Sequence, residues 1–402
     1  MKKQILRGNL VVGQSGGPTT VINSSLAGVI SEANINQFDG IFGLKHGIEG
    51  AISDNFIDLS SFKGISINLL KNTPASALGS CRHKLKKEDY DKIFDNFRSK
   101  NVRYFVYIGG NVSMDTCLRI AEKAKVNNYE MQIIGVPKTI DNDLVETDHT
   151  PGFGSAAKFI AWSVRDVSRD LVSMSTFEDV VIYETLGRNA GWLSASSILC
   201  KESEKDAPHL VYLPEVPFNE SDFLDDVVQV HKKFGFVFVV VCEGIKDSHG
   251  NIVGLNSLEN GLKDSFGHNL VTFTSGVASY LSDLVSSKLH LKSRFYRPGF
   301  IGRSFTACVS EIDREEAFQV GRTAIKNIAK GKSGSMISII RLSDNPYAVD
   351  YRDVPLKNVA NKEKLMPKEY FLNNSMVDKS FVDYALPLID GPLQPIIKMN
   401  SK

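Results

Sequence analysis

The strongest constraint on the fold is a repeated pattern in which a short apolar run ends in glycine or polar residues and a helix-like stretch follows. The apolar runs are Asn9–Gly13, Tyr104–Ile108, Ile133–Val136, Val180–Tyr183 and Phe236–Cys242. Continuous apolar runs are typical of strands that are buried on both faces of a parallel sheet. Alternation of such strands with helices indicates crossover connections between them. The pattern therefore predicts an α/β fold with doubly wound, mainly parallel sheets.

The length of the chain predicts two such sheets, since 402 residues exceed what one hydrophobic core commonly supports. The turn Pro151–Gly154 is the best candidate for a boundary. We expect a first domain at 1–150, joined by part of 304–345, and a second domain at 151–303. Residues 346–402 are expected to form a C-terminal helical extension that packs on the second domain.

The charge balance excludes one class of function. Lys and Arg total 47 against 46 for Asp and Glu, which gives a formal net charge of +1. A broad basic face for nucleic acid is therefore not expected, although a small basic pocket is compatible with this balance. The longest apolar run, Phe236–Cys242, is too short to span a bilayer, and no C-x-x-C pair suggests a zinc site or a disulfide framework. We therefore expect a reduced, cytoplasmic protein without a membrane segment.

Small and polar residues follow several of these runs, at the edge where ligands bind in open α/β sheets. Gly16 and Gly17 follow the first run, and paired glycines let backbone N–H groups approach an anion closely. A tight turn between strand and helix explains both glycines equally well. Arg82 could contact phosphate, and Asn111 could orient phosphate or a metal-bound water. A solvated arginine and a helix N-cap at Ser113 are the alternatives.

The segment Gly135–Asp143 is the most informative of these strand ends. It places Lys138, Thr139, Asp141 and Asp143 in one short turn. In such a turn a carboxylate can take a hydroxyl proton while a cation neutralises a transferring phosphoryl group. The set therefore favours phosphoryl transfer to an alcohol, and a loop with Asx turns but no chemistry is the alternative.

Several motifs together resemble the phosphofructokinase family, and specifically its pyrophosphate-dependent branch. They run in the family's order: SGGPTTVIN (15–23), LGSCR (78–82), GGN-S (109–113), PKTIDNDL (137–144), TDHTPGFGSA (147–156), ETLGRNAGW (184–192), YLPEVPF (212–218), EGI (243–245) and RFYRPGFIGRS (294–304). The combination of PKTIDND with GRNAGW is highly specific. The resemblance implies two sheet domains with the active site in the cleft between them, the first binding the phosphoryl donor and the second binding the sugar phosphate.

The resemblance also implies roles for residues that would meet the donor. Gly16 and Gly17 would present backbone N–H groups to the phosphoryl donor. Arg82 and Lys138 would contact the donor and stabilise charge on the transferred group. Asn111 matches the position nearest the metal, where other branches carry Asp, and Mg²⁺ would travel with the donor.

At the sugar, the resemblance implies that Thr139 and Asp141 lie at the 1-hydroxyl, with Asp141 as general base and Asp143 supporting it. Fructose 6-phosphate would be held by the residues that match the family's sugar-phosphate positions: Leu186, Gly187, Arg188, Glu243, Arg294, Phe300 and Arg303. Among them, Arg294 and Arg303 match the two arginines that grip the 6-phosphate.

Some residues depart from the family's pattern. Val112 stands where pyrophosphate users usually carry Asp and ATP users usually carry Gly, and its side chain fills the room of the ATP α-phosphate without adding charge. Lys138 agrees with a pyrophosphate user, although some ATP-using relatives carry Lys there. Phe300 and Gly302 replace the His or Tyr and the Gln that usually precede Arg303, which removes hydrogen-bonding groups close to the sugar.

The function that the resemblance implies is that of a pyrophosphate-dependent 6-phosphofructokinase. Such an enzyme is a Mg²⁺-dependent phosphotransferase of glycolysis, which reversibly converts fructose 6-phosphate to fructose 1,6-bisphosphate. The expected partners are fructose 6-phosphate, pyrophosphate and further copies of the chain, in a dimer or tetramer whose neighbouring subunit completes the active site. An ATP-dependent 6-phosphofructokinase is one alternative. A weakly catalytic regulatory paralogue that binds sugar phosphate is the other.

Overall fold

The structure, a computed structural model, describes residues 6–36, 38–254 and 276–399. The chain folds into two compact units, and each unit is interrupted in sequence. The first contains the described residues up to Ala156 together with Phe300–Leu365. The second contains Ala157–Gly254, the described residues from 276 to Gly299, and those from Met366 onward. Residues 255–275, which the expected domain 151–303 includes, lie outside the described residues.

Strands and helices alternate through most of the described chain. The strands are β1 (Asn9–Gln14), β2 (Ile41–Leu44), β3 (Phe56–Asp58), β4 (Val102–Gly109), β5 (Gln132–Pro137), β6 (Val180–Thr185), β7 (Leu210–Tyr212), β8 (Val237–Cys242), β9 (Ser293–Tyr296), β10 (Ser335–Asp344), β11 (Tyr347–Pro355), β12 (Phe371–Asn373) and β13 (Met376–Val377). The helices are α1 (Ile22–Ala33), α2 (Ile48–Ile52), α3 (Ile65–Lys71), α4 (Lys87–Ser99), α5 (Asn111–Val126), α6 (Phe153–Ser173), α7 (Trp192–Ala195), α8 (Glu220–Phe234), α9 (Val277–Leu289), α10 (Glu311–Ala329), α11 (Leu356–Val359) and α12 (Ser380–Ala385). None of these described helices has the length and apolar character that crossing a membrane requires.

The first unit is built on a mixed sheet with the strand order β11-β10-β5-β4-β1-β2-β3. The five inner strands pair in parallel, and β11 and β3 pair antiparallel at the two edges. Leu10 and Val12 enter one hydrophobic cluster, whereas Val11 between them enters another. The strand is thus buried on both faces, which explains its continuous apolar run. The carboxyl ends of β1, β4 and β5 lie side by side.

The second unit is built on a parallel sheet with the strand order β7-β8-β6-β9. Its core contains alternate residues of the central strands, among them Ile182 and Val239. A separate antiparallel pair joins β12 to β13. At the end of the central pair, Thr185 is in register with Cys242. The residues that follow β6 and β8 therefore leave the sheet next to each other.

The predicted strands are confirmed as β1, β4, β5, β6 and β8, and the α/β class with mainly parallel sheets is confirmed as well. The helical extension expected at 346–402 does not hold over its first part. Residues 347–355 form β11, which pairs with β10 and belongs to the first unit. This strand lies at a sheet edge and is only half-buried, so it lacks the apolar run that marks the inner strands. The described residues from Met366 onward belong to the second unit.

Helices α1 and α10 of the first unit pack with their backbones in close contact. A Cβ atom at Gly28 of α1 would stand 2.0 Å from the carbonyl oxygen of Phe318. A Cβ atom at Gly321 of α10 would stand 2.1 Å from the carbonyl oxygen of Ser25. Any larger residue at either position would therefore push the two helices apart. This packing fixes the helix that follows the glycine pair at the end of β1.

Gly321→Ala is expected to lower the free energy of unfolding of the first unit by about 1–3 kcal/mol, because overpacking forces the helix backbones apart. Urea denaturation followed by circular dichroism measures the change. Lys326→Ala, at an exposed position of the same helix, is the matched control and should change this free energy by less than about 0.5 kcal/mol. Equal unfolding midpoints for Gly321→Ala and the unaltered protein would contradict the close packing of α1 and α10.

Candidate active site

The turn after β1 places two glycines beside two cations. Gly16 has a φ angle of +76°, in the left-handed region that favours glycine. A Cβ atom at Gly16 would stand 3.1 Å from Nζ of Lys138, and one at Gly17 would stand 3.1 Å from Nη1 of Arg303. Nζ of Lys138 also donates to the carbonyl oxygen of Gly17 at 2.8 Å. Glycine at both positions thus leaves space next to the cations.

The N–H group of Gly16 bonds another segment of the chain, which differs from the role expected for it. It donates to the carbonyl oxygen of Cys81 at 3.2 Å, and Oγ of Ser80 donates to the carbonyl oxygen of Gly16 at 2.5 Å. These bonds tie the glycine turn to the segment that carries Arg82. The absence of a side chain at Gly16 therefore leaves room beside Lys138, while its N–H group is already bonded to Cys81.

Lys138 is the centre of a charged cluster at the end of β5. Its side chain is buried, and this burial lowers the pKa of Lys138 to about 8. Asp141 and Asp143 oppose the fall in pKa, whereas the neighbouring Arg303 and Arg82 add to it. The structure therefore brings together three cations and two carboxylates that the sequence singles out.

The loop after Lys138 places its two carboxylates in different environments. Oγ1 of Thr139 accepts the backbone N–H of Asp141 at 3.0 Å, which fixes the turn, and Asp141 itself is half-buried. One carboxylate oxygen of Asp143 is buried without a hydrogen-bond partner. Burial, with Asp141 and Glu363 nearby, raises the pKa of Asp143 to about 7. Asp143 is thus the more buried of the two carboxylates, whereas the half-buried Asp141 is the one that a substrate hydroxyl can reach more easily.

Helix α5 begins at Asn111, directly after the second glycine pair. The N-cap position is Gly110, so an N-cap at Ser113 is wrong. Oγ of Ser113 instead donates to Oγ of Ser15 at 3.1 Å. Oδ1 of Asn111 accepts the N–H of Val112 at 2.7 Å, and Val112 is 38% exposed. Val112 thus presents an apolar, uncharged surface at the start of the helix.

A metal ion at Asn111 would meet few protein ligands. In the part of the chain that the structure describes, no three His, Cys, Asp or Glu side chains group so that they could hold a metal ion. Asn111 offers an amide oxygen that already accepts one hydrogen bond. Mg²⁺ commonly keeps several waters and binds one or two protein oxygens together with substrate phosphates. This donor set therefore fits a Mg²⁺ ion that arrives with a phosphate ligand.

In the second unit, the turn after β6 brings Leu186, Gly187 and Arg188 together with Glu243. Gly187 has a φ angle of +139°, and Arg188 has one of 36°, in a region that is uncommon for a residue with a side chain. A Cβ atom at Gly244 would stand 1.6 Å from the carbonyl oxygen of Arg188, so only glycine permits this approach. The carboxylate of Glu243 accepts the N–H groups of Gly187 and Arg188, and burial raises the pKa of Glu243.

Arg294, on β9, pairs with two carboxylates that no sequence motif links to it. Its Nη2 atom lies 2.5 Å from a carboxylate oxygen of Asp170 and 2.8 Å from one of Glu178. Its guanidinium group also lies over the ring of Tyr296, at 5.3 Å from the ring centroid. A phosphate at Arg294 would have to compete with these two carboxylates.

Arg297, a second arginine at the end of β9, was not among the residues predicted from the sequence, although it holds the end of this strand in place. Its Nε atom donates to Oε1 of Glu184 at 2.9 Å, and Oε2 of Glu184 accepts the N–H of Ala278 at 2.9 Å. Glu184 lies on β6, two residues before Leu186, so this pair ties the end of β9 to the turn that carries Leu186. The one sequence signal was that Arg297 falls within the motif at 294–304.

The turn Gly299–Arg303 places Phe300 against Arg303. Phe300 is 46% exposed, and the guanidinium carbon of Arg303 lies 4.0 Å from the centroid of its ring. This distance is typical of a cation–π contact. Phe300 therefore supplies a stacking surface where a His or Tyr would supply a hydrogen bond. Arg303 belongs to the first unit, with Lys138 and Gly17, whereas Arg294 belongs to the second.

Comparison with known proteins gives consistent matches along the chain. The sequence profile described as Phosphofructokinase matches residues 9–328. A pyrophosphate–fructose 6-phosphate 1-phosphotransferase of Xanthomonas campestris pv. campestris is 40% identical over 391 residues, which cover 96% of this chain and 92% of the relative. A protein of the same name from Rhodospirillum rubrum is 37% identical over 388 residues, which cover 96% of this chain and 95% of the relative.

Solved structures agree with these sequence matches. The crystal structure of a pyrophosphate-dependent phosphofructokinase from Nitrosospira multiformis has a TM-score of 0.86 and 35% sequence identity to this chain. The alignment covers 97% of this chain and 94% of that one. Because the profile extends from the start of β1 into the last turn of α10, and the relatives align over nearly the whole length, this chain belongs to the phosphofructokinase family.

Proposed function

We propose that this protein is a pyrophosphate-dependent 6-phosphofructokinase, which transfers a phosphoryl group from pyrophosphate to the 1-hydroxyl of fructose 6-phosphate. The observation that carries the proposal is the cluster of Lys138, Arg82 and Arg303 beside Asp141 and the two-glycine turn. Three cations suit a donor and a sugar phosphate that both carry negative charge, and a carboxylate among them suits an acceptor hydroxyl. The names of the two relatives support this choice of donor and acceptor.

The acceptor step needs a base, and Asp141 is the proposed one. Its carboxylate takes the proton of the sugar 1-hydroxyl as that oxygen forms a bond to the terminal phosphorus of pyrophosphate. The bond from this phosphorus to the bridging oxygen breaks, and its electron pair leaves with inorganic phosphate. Thr139 holds the backbone N–H of Asp141, which fixes the position of the base. In the reverse direction Asp141 returns the proton to the sugar oxygen.

Charge on the transferred phosphoryl group is met by cations that are already in place. Lys138 would contact this group through Nζ, while Arg82 would meet neighbouring phosphate oxygens. Because Nζ of Lys138 also bonds the carbonyl oxygen of Gly17, its position is set before the donor binds. Asn111 would hold the Mg²⁺ ion that comes with pyrophosphate, and this ion would neutralise further phosphate charge.

The first unit is proposed to bind the donor, and the second to bind most of the sugar phosphate. Glu243 would accept hydrogen bonds from sugar hydroxyls, with Leu186, Gly187 and Arg188 completing that side of the ligand. The backbone N–H bonds from Gly187 and Arg188 to Glu243 support this role, because they hold these residues together.

Arg294 and Arg303 are proposed for the 6-phosphate. Phe300 would orient the guanidinium group of Arg303 through their stacking contact. Because Asp170 and Glu178 hold Arg294, phosphate binding there would exchange one ion-pair partner for another. We place the enzyme in glycolysis, in the cytoplasm, as a homo-oligomer.

The donor can be tested by initial rates on fructose 6-phosphate with Mg²⁺ and either pyrophosphate or ATP. The rate with pyrophosphate is expected to be about 100-fold higher, because Val112 obstructs the α-phosphate of ATP. Val112→Gly should raise the rate with ATP relative to that with pyrophosphate. A higher rate with ATP in the unaltered protein would contradict the choice of donor. Absence of turnover with both donors, with fructose 6-phosphate still bound, would favour a regulatory paralogue.

Asp141→Asn is expected to lower kcat by about 10²–10⁴-fold, because the amide cannot take the hydroxyl proton. Binding of fructose 6-phosphate, measured by isothermal titration calorimetry, should stay within about threefold, since the amide keeps the size of the carboxylate. Asp283→Asn, at an exposed position on α9, is the matched control and should keep the full rate. Survival of the rate in Asp141→Asn would show that another group is the base.

The pH dependence of kcat/KM for pyrophosphate tests the role of Lys138. The value is expected to fall as the pH rises through about 8, because Lys138 is charged below this pKa and neutral above it. The corresponding fall in kcat should lie at higher pH, since bound pyrophosphate favours the charged lysine. Lys138→Arg keeps its charge throughout and should lose this basic limb. An unchanged limb in Lys138→Arg would assign the titration to another group.

A further inference from the structure

The backbone of Thr139 is held on both sides by a segment to which the proposed reaction assigns no role. Oγ1 of Thr150 donates to the carbonyl oxygen of Thr139 at 2.8 Å. The N–H of Thr139 donates to the carbonyl oxygen of Pro151 at 3.3 Å, and Thr139 forms a bridge with Gly152. A shift of residues 150–152 would therefore move Thr139, together with the N–H of Asp141 that its hydroxyl accepts.

This segment is anchored by a buried histidine next to Thr150. His149 is 1% exposed, and its Nδ1 atom lies 2.7 Å from Oδ2 of Asp148. Its Nε2 atom lies 2.5 Å from Oε2 of Glu316, on α10. Although burial lowers it, these two carboxylates raise the pKa of His149 to about 9, so both ring nitrogens carry protons at neutral pH. Both contacts are then charge-assisted hydrogen bonds, which hold the ring firmly.

Arg341 extends this contact into a chain of alternating charges, and Tyr347 adds a hydrogen bond to the last carboxylate. Nη2 of Arg341 pairs with Oδ2 of Asp148 at 3.0 Å, and Oη of Tyr347 donates to Oε1 of Glu316 at 2.6 Å. The order from Arg341 through Asp148 and His149 to Glu316 is plus, minus, plus, minus. Apolar side chains of equal volume would stabilise the fold as well, since buried ion pairs contribute little net stability. What the charged groups add is directionality, because a displaced ring would leave a buried charge without its partner.

Helix α10 supplies the anchor from two successive turns. Asp313 lies one turn before Glu316, and its carboxylate accepts the N–H of Gly152 at 2.8 Å and that of Ser155 at 2.9 Å. The helix therefore holds the chain at His149 and at Gly152. These two residues flank the two residues that bond the backbone of Thr139.

We propose that His149 and Glu316 are positioning residues for Asp141, and that they act through Thr150 and Thr139. The inference rests on the proposed function, because it concerns the residue proposed as the base. The ion pairs fix the segment at residue 149, Thr150 fixes the carbonyl group of Thr139, and the hydroxyl of Thr139 fixes the N–H of Asp141. A chain of charges that only stabilised the fold would leave the turnover of the folded enzyme unchanged.

Steady-state kinetics of Glu316→Gln and Thr150→Val test this path with pyrophosphate and fructose 6-phosphate as substrates. The first variant removes the charge that faces His149, and the second removes the donor to Thr139. Each is expected to lower kcat about tenfold or more while both KM values stay within about twofold, because the base is misplaced and the substrate contacts remain. In the double variant kcat should fall no further than in the worse single variant, since both changes act on one path.

Glu32→Gln is the matched control. Glu32 is another buried carboxylate of the first unit, and it pairs with Arg322 of α10 at 2.9 Å, where α10 packs on α1. This variant is expected to lower the thermal midpoint and to keep the kcat of the unaltered protein.

An unchanged kcat in folded Glu316→Gln or in folded Thr150→Val would overturn the inference, and so would losses of kcat that multiply in the double variant. If Glu316→Gln does not fold, Thr150→Val decides alone. Absence of turnover in the unaltered protein would refute the proposed function and this inference with it. An active unaltered protein with an unaffected Thr150→Val variant would refute the inference alone.

Discussion

The ammonium group of Lys138 is buried at the carboxyl end of β5. A buried cation without partners is unfavourable, and the neighbouring residues supply groups that interact with it. The carbonyl oxygen of Gly17 accepts one of its protons, and Asp141 and Asp143 offset part of the effect of burial on its pKa. Arg82 and Arg303 act in the opposite direction, so the cluster remains short of negative charge. An anionic donor would supply that charge, and its binding would therefore stabilise the cations that receive it.

The segments around this cluster depend in turn on one helix. α10 packs against α1 through backbone contacts at Gly28 and Gly321, and α1 follows the glycine turn. The same helix holds the segment behind Thr139 through Asp313 and Glu316. The glycine turn and the segment that bonds Thr139 are thus both held by α10, which fixes the distance between them.

Strands β1, β4 and β5, which lead into the candidate site, could be predicted because nearly all of their residues are buried, on both faces of the sheet. The run Ile133–Val136 became β5, and the parallel register placed the ends of β1, β4 and β5 at one edge, as the sequence predicted. Edge strand β11 could not be recognised, since its half-buried residues form no apolar run. The division of the chain into two units could not be predicted from the sequence either, because each unit consists of segments that are far apart along the chain.

Within the candidate site, the residue types could be predicted better than their partners. The sequence placed Lys138 and Asp141 in one turn, and the structure gives them a shared electrostatic environment. The bond from the N–H of Gly16 to Cys81 depends on how two loops meet, and no local pattern encodes it. The same holds for the ion pairs of Arg294 with Asp170 and Glu178, which join residues more than a hundred positions apart. The roles assigned to individual site residues stay predictions until the variants are measured.

The order of the strands along the chain has a consequence for synthesis. The first unit takes β10 and β11 from residues 335–355 and takes α10 from residues just before them, whereas the four strands of the second unit's sheet all lie before residue 297. Domains generally fold as they emerge from the ribosome, beginning at the N-terminus. In this protein the sheet that starts first is the later of the two to be completed. A nascent chain that stops before α10 would expose one edge of β5 and the apolar face of α1, so this interval is when the chain most needs protection from aggregation.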